Sequence, residues 1–398
     1  MLWTIIHIAD ILLWLLFASS TVYILFFALV SILWKKRVSE FSEYLTGKTM
    51  AARQKEYFTY LVLYPAYNED RVIVNSVKTF LAQYYPYSSF HVAVISDHMQ
   101  PETNQNLAEL PITLLQPVFE KSSKAKAMQF AMNQLKEEYD YVIVMDADNV
   151  VNPDFLEKLN ESCAKGYKAI QCHRCAKNSD NDIAVLDGVS EEINNTIFRK
   201  AHNRLGLSSA LIGSGMCFDF HWFKENVFKL STVGEDRELE AQLLLQKIFI
   251  KYEPDIHVYD EKVSNKDNFQ KQRLRWMTAQ IQSLFMQLPH LPYAIRTGNL
   301  DYINKTIQQA LIPRSMLIVF AFVFSVLMTI VSPTWSIKWW CLFLAVCISL
   351  YLAIPKQLRS HTVFGKIMSV PTLVWKMVQN IPKISRKSSD FIHTSHDK

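Results

Sequence analysis

Three long apolar segments dominate the hydrophobic pattern of the chain. Residues 11–34 and 315–337 contain no charged side chain, and residues 339–355 form a shorter run between Lys338 and Lys356. About 20 apolar residues in a helix cross the hydrocarbon core of a bilayer. The pattern therefore predicts an N-terminal transmembrane anchor at 1–36 and a transmembrane hairpin at 314–355. For the third run, a buried core helix is the alternative.

Basic residues give the expected orientation of these segments. Lys35, Lys36 and Arg37 directly follow the first run, and further lysines and arginines follow the third. Positive charge collects on the cytoplasmic side of membrane proteins, which predicts a multi-pass protein of the inner (plasma) membrane with its central region in the cytoplasm. The first run is too long, and its start too poor in lysine and arginine, for a secretory leader.

Residues 57–285 alternate between two kinds of pattern. Short apolar runs of strand length are separated by stretches with helical periodicity, near 72–83, 125–138 and 153–164. This alternation predicts an α/β domain, Rossmann-like, with a mainly parallel sheet and helices on both faces. The runs with strand length are 60–64, 91–95, 112–115, 141–145 and 169–172.

Two amphipathic stretches adjoin the membrane segments. Residues 286–313 and 364–381 place apolar side chains on one face, which favours helices lying in the membrane interface. The second stretch belongs to a basic tail, 356–398, expected on the cytoplasmic side.

Composition excludes several classes. Of 398 residues, 50% are apolar and 20% charged, which argues against a disordered chain. A net charge of +5, widely dispersed, is too small for a nucleic-acid surface, so no nucleic-acid partner is expected. Cys172 and Cys175 form the only CxxC; a zinc site of four ligands would need a second pair, and none follows at a suitable spacing. The six cysteines are therefore expected to be reduced and structural.

Carboxylates follow three predicted strands and precede one predicted helix. Glu69, Asp97 and the pair Asp146 and Asp148 come after strands, and Asp236 precedes a helical stretch. Each alone is typical of a turn or a helix cap. Ligands on such sheets bind beyond the carboxyl ends of strands, so several carboxylates on one rim indicate a site.

Asp146 and Asp148, one residue apart, suit a hard divalent cation. Mg²⁺ typically takes one or two protein carboxylates and completes its shell with phosphate oxygens and water. No glycine-rich phosphate loop occurs in a chain with nine glycines. Basic side chains would then have to assist the metal, and Lys124 and Lys126, at a predicted helix start, are the candidates.

A last polar cluster, Gln272-Arg-Leu-Arg275-Trp276, lies on a predicted helix. An indole beside guanidinium groups is common as ordinary helix packing. The functional alternative is a stacking platform for a sugar ring, with an arginine to hold a diphosphate.

The motifs described above occur in order over about 220 residues. As a set, they make the sequence resemble the membrane-integrated glycosyltransferases of family 2. These are inverting GT-A enzymes that include cellulose, hyaluronan and poly-N-acetylglucosamine synthases. The strings that carry the resemblance are Pro65-Ala-Tyr-Asn-Glu69, Ser96-Asp97, Ser123-Lys124-Ala-Lys-Ala, Asp146-Ala-Asp148, Gly234-Glu-Asp236 and Gln272-Arg-Leu-Arg275-Trp276.

The resemblance implies a role for each matching position. It implies transfer of a hexose or N-acetylhexosamine from a UDP-sugar, with Asp236 as the general base and Asp148 holding Mg²⁺ or Mn²⁺. The donor-binding positions are Tyr67, Glu69, Asp97, Lys124, Asp146 and Arg275. The acceptor-binding positions are Gly213, Ser214, Gly215, Gln272 and Trp276. Phe391 and Thr394 are similar to a gating loop of cellulose synthases.

Several alternatives stay open at this point. The acceptor is a glycan or a lipid-linked molecule, and synthesis is processive or limited to few additions. Three membrane helices are few for a polymer channel, which would favour a homo-oligomer or an export partner. The rival functions are single-sugar transfer to polyprenyl phosphate and an inactive nucleotide-sugar sensor or scaffold. No motif identifies the sugar.

Overall fold

The computed structural model describes residues 2–34, 56–179, 181–232, 234–263, 265–359, 365, 370–380 and 382. Among these residues, the central domain contains one eight-stranded sheet with the strand order β3-β2-β1-β4-β7-β6-β8-β5. Its strands are β1 (Tyr60–Tyr67), β2 (Phe90–Asp97), β3 (Thr113–Leu115), β4 (Tyr141–Val144), β5 (Val150–Val151), β6 (Ala169–Ala176), β7 (Met216–Asp219) and β8 (Ile250–Asp260).

The sheet is mixed but mostly parallel, so the predicted fold class is confirmed. β1 pairs in parallel with β2 and β4, β2 with β3, and β6 with β8. β7 runs antiparallel to β4 and β6, and β5 runs antiparallel to β8. β5, β7 and β8 lie outside the predicted strand set.

Alternating side chains of β1 enter two cores on opposite faces of the sheet. Val62 and Tyr64 pack into one core, and Leu61 and Leu63 pack into the other. Such a strand is buried on both faces, and its residues therefore form a continuous apolar run in the sequence. This explains why its pattern was visible in the sequence.

Helices cover both faces of this sheet. They are α2 (Ile73–Leu81), α3 (Pro101–Ala108), α4 (Lys124–Gln134), α5 (Phe155–Ala164), α6 (Asp182–Asn194), α7 (His202–Arg204), α8 (Phe220–Asn226), α9 (Glu235–Leu245) and α10 (Lys266–Gln287). A π-helical stretch, Asn195–Ala201, joins α6 to α7. Short 3₁₀ turns lie at Tyr87–Ser89, Val227–Lys229, Leu288–His290 and Lys356–Leu358.

Among the described residues, three helices are long and apolar enough to cross a membrane: α1 (Leu2–Leu33), α13 (Arg314–Val331) and α14 (Pro333–Ala353). The shorter helices α11 (Leu291–Arg296) and α12 (Leu300–Ala310) precede α13. The first helix lies within the predicted anchor, 1–36, and extends beyond the uncharged run 11–34 to include a charge, Asp10. This buried carboxylate pairs with Lys338 of α14 and accepts a hydrogen bond from Trp339 Nε1 at 2.7 Å. The pairing explains how both charges are accommodated within the helix bundle.

The amphipathic stretches form short helices. In α12, Tyr302 and Thr306 are buried against the domain, whereas Leu300 and Ile307 are exposed. The tail contributes α15 (Val370–Val378), within the predicted 364–381. Most of the remaining tail lies outside the described residues. Whether these helices lie in the membrane interface stays a prediction.

Candidate functional site

A cavity of about 820 Å³ opens at the carboxyl ends of β1, β2 and β4 and extends to the membrane helices. It brings together most of the residues singled out in the sequence. Its lining includes Tyr67, Glu69, Asp97, Lys124, Asp146, Asp148, Gly213, Asp236, Gln272, Arg275 and Trp276.

The ends of β1 and β2 lie side by side because the two strands pair in full parallel register, Tyr67 opposite Asp97. Directly after them, Asn68 and His98 adopt left-handed backbone conformations, with φ of 53° and 57°. Asn68 N donates to Asp97 O at 3.2 Å, and the carboxylate of Asp97 contacts His98 Nδ1 at 2.5 Å. The left-handed residues Asn68 and His98 therefore hold the buried Asp97 in a defined position.

A tight turn after β4 orients both aspartates of the Asp146-x-Asp148 string. Asp146 N donates to Asn149 Oδ1 at 2.9 Å, and Asn149 Nδ2 donates to Asp148 Oδ1 at 3.2 Å. Asp148 also accepts a hydrogen bond from Glu261 N, at 2.7 Å from its Oδ2. Two oriented carboxylates at the cavity edge suit a hard cation that takes oxygen ligands.

Lys124 is the central cation of the site. As the first residue of α4, after the N-cap Ser123, its Nζ contacts the carboxylate of Asp146, donates to Gly213 O at 2.6 Å and lies 3.7 Å from Glu235 Oε1. Burial alone would lower the pKa of Lys124, but Asp146 and Glu235 outweigh it and raise this pKa above its usual range. Lys124 therefore stays charged and links three loops. By contrast, the exposed Lys126 donates to Lys121 O at 2.8 Å and does not line the cavity.

The contact with Lys124 also keeps Asp146 ionised. Burial opposes its charge, but Lys124, with Arg174 and Arg275 further away, lowers the pKa of this carboxyl below its usual range. Arg275 of α10 thus acts electrostatically on a residue at the far side of the cavity.

Glu235 and Asp236 occupy the first turn of α9, where the helix approaches α10 closely. A Cβ on Gly234 would lie 2.9 Å from Ala279 Cβ, so glycine permits this approach. Burial raises the pKa of Glu235 to about 7, opposed by Lys124 and increased further by Asp236. Glu235 had no predicted role, although it lies in the Gly234-Glu-Asp236 motif, because its contact with Lys124 depends on the fold.

On α10, the indole of Trp276 belongs to a stacked group. The Arg273 guanidinium lies 4.3 Å from the centre of the Trp276 ring and 4.6 Å from that of Phe269, and it pairs with Asp187 of α6. The Oε1 of Gln272 is buried and has no hydrogen-bond partner among the described residues. α10 therefore presents a fixed aromatic surface and one unpaired acceptor at the cavity.

The three residues Gly213, Ser214 and Gly215 separate in the structure. Gly213 lines the cavity, whereas Ser214 is buried and its carbonyl accepts a hydrogen bond from Gln171 Nε2 at 2.9 Å. Gly215 has φ of 60°, and a Cβ there would lie 2.8 Å from Val258 Cγ2. Ser214 and Gly215 thus support the cavity from behind, outside its lining.

A group of five charged residues, in the cavity wall and directly behind it, was not predicted. We call Arg174, Glu191, Arg199, Asp260 and Lys262 the wall cluster. Four of them line the cavity, and Glu191 is buried in contact with three of these. Glu191 contacts Arg174 at 3.2 Å, Arg199 at 3.0 Å and Lys262 at 4.0 Å, and Asp260 contacts Lys262 at 2.8 Å. The one sequence signal was an arginine within an apolar strand, since buried charges are rare unless paired.

Towards α13 and α14 the lining becomes apolar. Phe343 and Leu350 of α14, and Ile354 directly after it, line this end. Arg314, at the start of α13, also lines it and donates to Ser190 and Asn194, with its guanidinium 5.9 Å from the centre of the Phe198 ring. The cavity is thus polar and charged at the sheet, and apolar with one arginine at the end formed by α13 and α14. Phe391 and Thr394, the predicted gating residues, lie outside the described residues.

Comparison with known protein families identifies the chain. The sequence model of glycosyl transferase family group 2 matches residues 141–354, more than half of the chain. The chain belongs to this family. It is therefore a glycosyltransferase, and the match covers the strings from Asp146 to Trp276 together with α13 and α14. The donor-side strings up to Lys124 lie before the matched residues.

No curated protein matches this glycosyltransferase. Among solved structures, it is similar to the mannosyltransferase PcManGT from Pyrobaculum calidifontis in complex with GDP-Man and Mn²⁺, with 14% identity and a TM-score of 0.47, covering 84% of this chain and 99% of that one. It is also similar to S. aureus TarS 1-349 in complex with UDP-GlcNAc, with 14% identity and a TM-score of 0.39, covering 82% and 90%. The assignment rests on the family match.

Proposed function

We propose that this glycosyltransferase moves a hexose or N-acetylhexosamine from a UDP-sugar to a glycan or lipid-linked acceptor at the inner membrane, with inversion to a β-glycosidic bond. The observation that carries the proposal is one cavity containing the cation Lys124, the aspartates Asp146 and Asp148, the carboxylate Asp236 and the indole Trp276. These are the groups that such a transfer needs.

The donor is proposed to bind at the sheet end of the cavity. Tyr67, Glu69 and Asp97 are the proposed contacts of the uridine, and Lys124, Asp146 and Arg275 those of the ribose and diphosphate. Lys124 and Arg275 supply positive charge at the place where a diphosphate would lie.

The carboxylates fit a divalent cation, Mg²⁺ or Mn²⁺, with Asp148 as the proposed ligand. Both ions favour oxygen ligands, and hydrogen bonds from Glu261 N and Asn149 Nδ2 already orient this carboxylate. When bound, the ion would neutralise charge on the departing diphosphate.

Asp236 is the proposed general base. Its carboxylate accepts the proton of an acceptor hydroxyl while the oxygen attacks the anomeric carbon from the face opposite UDP. The C–O bond to UDP breaks as the new bond forms, so an α-linked donor gives a β-glycoside. A positioned base typically contributes about 10²–10⁴-fold to the rate.

The acceptor is proposed to occupy the part of the cavity between Gly213, Gln272 and Trp276. The unpaired Oε1 of Gln272 can accept a hydrogen bond from a sugar hydroxyl, and the indole can stack on a pyranose ring. Ser214 and Gly215 hold the Gly213 loop from behind.

A lipid-linked acceptor is favoured by one further observation. The cavity continues past Trp276 to apolar side chains of α14 and to Arg314, which has only uncharged hydrogen-bond partners among the described residues. An amphiphile with an anionic head group would match this lining. A processive polymer synthase, acting with further copies or an export partner and closed by Phe391 and Thr394, is the second candidate.

The test measures UDP release by the full chain in nanodiscs, with a panel of UDP-sugars and with glycan and polyprenyl phosphate acceptors. We expect UDP release from one of the donors. EDTA should abolish this release, and Asp236→Asn should reduce its rate at least about 10²-fold. Asp255→Asn, at an exposed aspartate of β8, is the matched control. Full turnover by Asp236→Asn would refute the assigned base. Nucleotide binding without release from any donor would support the sensor alternative.

A further inference from the structure

A second group of potential ligands lies away from the candidate active site, on β6 and β8. These strands pair in parallel with His173 opposite His257, after a register shift between Cys172 and His173. Cys175 follows two residues after His173 and so points to the same face of the sheet. The ligand atoms of His173, Cys175 and His257 all lie within 4.8 Å of one another.

Two of these three side chains have uncommitted lone pairs. Among the described residues, no hydrogen bond engages the ring of His257, and Cys175 Sγ has one weak contact, with His173 O at 3.8 Å. A neutral imidazole is the form that coordinates a metal.

Both ring nitrogens of His173 have partners. Its Nδ1 contacts the hydroxyl of Tyr252 at 2.6 Å, and its Nε2 contacts Glu192 Oε1 at 2.9 Å and lies 3.4 Å from Asn195 Nδ2. A histidine that binds a metal through one nitrogen normally donates a hydrogen bond from the other, so a metal at Nε2 would replace the contact with Glu192 and keep the one with Tyr252. Glu192 would bring negative charge to the same place.

We propose that His173, Cys175 and His257 form a zinc-binding site, with the fourth position open to water or to Glu192. One thiolate and two imidazoles are ligands that Zn²⁺ prefers, and two residues alternating on one strand with a third on its neighbour form a tripod. Zn–N and Zn–S bonds of about 2.0–2.3 Å place ligand atoms roughly 3.5 Å apart. Side-chain rotation from the present spacing reaches this, since all three residues are only partly buried.

The site would act on the protein's architecture. It would join β6 to β8 across the register shift, one residue away from Arg174 of the wall cluster. A bound Zn²⁺ would take Cys175 as the thiolate, since a coordinating thiol is deprotonated. These nitrogen and sulfur ligands differ from the oxygen ligand proposed at Asp148. The two sites would therefore prefer different ions, Zn²⁺ here and Mg²⁺ or Mn²⁺ at Asp148.

The experiment uses the full chain without a histidine tag, loaded with Zn²⁺ alone or with Co²⁺ as a spectroscopic probe. We expect one tightly held zinc per chain after chelator-free purification, and a thiolate-to-cobalt charge-transfer band. Cys175→Ser should abolish the band, and His257→Gln should weaken zinc binding at least tenfold. Cys341→Ser and His221→Gln, at exposed residues elsewhere, are the matched controls and should change neither.

Substoichiometric zinc in the wild type, or a cobalt band that survives Cys175→Ser, would overturn the proposal. UDP binding and thermal unfolding are measured on the same samples and identify a variant that has lost its fold. If Cys175→Ser or His257→Gln has lost its fold, the other variant tests the zinc site. UDP release does not enter the readout, so the zinc site and the proposed function can fail independently.

Discussion

Replacing Glu191 with glutamine tests the wall cluster of the cavity. The side chain is 2% exposed, and its two oxygens serve three cations: Arg174 on β6, Arg199 in the π-helical stretch and Lys262 after β8. Glutamine keeps the shape of the side chain but removes its charge. Three cations then share the one remaining carboxylate of the cluster, Asp260.

The expected loss follows from the burial of these charges. Removing one partner of a buried ion pair costs about 3–5 kcal/mol, because the other charge stays buried and uncompensated. For a domain of this size about 1 kcal/mol corresponds to roughly 2–4 °C, so we expect a fall in melting temperature of about 6–20 °C. We also expect weaker donor binding, since Arg174 and Arg199 line the cavity.

The pH dependence of this loss has a definite sign. Burial alone would raise the pKa of Glu191, but Arg174, Arg199 and Lys262 outweigh it and hold this pKa well below its usual value of 4.5. A depressed folded-state pKa stabilises the fold above the unfolded-state pKa and loses that contribution as the pH falls through the folded value. The difference between wild type and Glu191→Gln should therefore be constant near neutral pH and shrink only below about pH 4.5.

The assay is thermal unfolding in detergent, followed by intrinsic fluorescence between pH 4 and 8. Glu161→Gln, at an exposed glutamate of α5, is the matched control, because it makes the same change of charge away from the wall cluster. We expect this control to cost less than about 1 kcal/mol. Equal losses in the two variants, or a Glu191→Gln melting temperature within 2 °C of wild type, would refute the reasoning.

Three further predictions concern the donor site, the β7 turn and the membrane helices. Lys124→Met should weaken UDP binding at least about tenfold in titration calorimetry, whereas Lys126→Met should leave it unchanged, because a charge-assisted contact is worth about 1.5–3 kcal/mol. Gly215→Ala should lower the melting temperature more than Gly298→Ala: both have positive φ, but only the first adds a Cβ within 3 Å of another side chain. Equal losses would show that backbone strain alone matters. Asp10→Asn leaves the charge of Lys338 uncompensated and should destabilise the helix bundle by about 3–5 kcal/mol. An unchanged rate of cleavage by chymotrypsin would contradict this.

Predictions from the sequence succeeded where the relevant signal was local. β1, β2 and β4 alternate between two cores, so their residues form apolar runs that are visible without a structure. The carboxylates at their ends followed, because parallel strands end at one edge of a sheet. β8 was missed since Lys251, Glu253 and Asp255 interrupt its apolar pattern. Asp10 was given no role because its partners, Lys338 and Trp339, lie far away in the chain.

The sequence by itself determined three features of this protein: the segments long and apolar enough to span a membrane, the α/β class of the domain and the chain order of the motifs from Tyr67 to Trp276. Each depends on residues close together in the chain, through apolar length, periodicity or spacing. Tertiary structure alone decided that Lys124 bridges Asp146 and Glu235, that Ser214 lies behind the cavity, and that Glu191 neutralises cations from three elements. These contacts join residues far apart in the chain, and only packing of the sheet, α6 and α9 brings their charges within reach of one another.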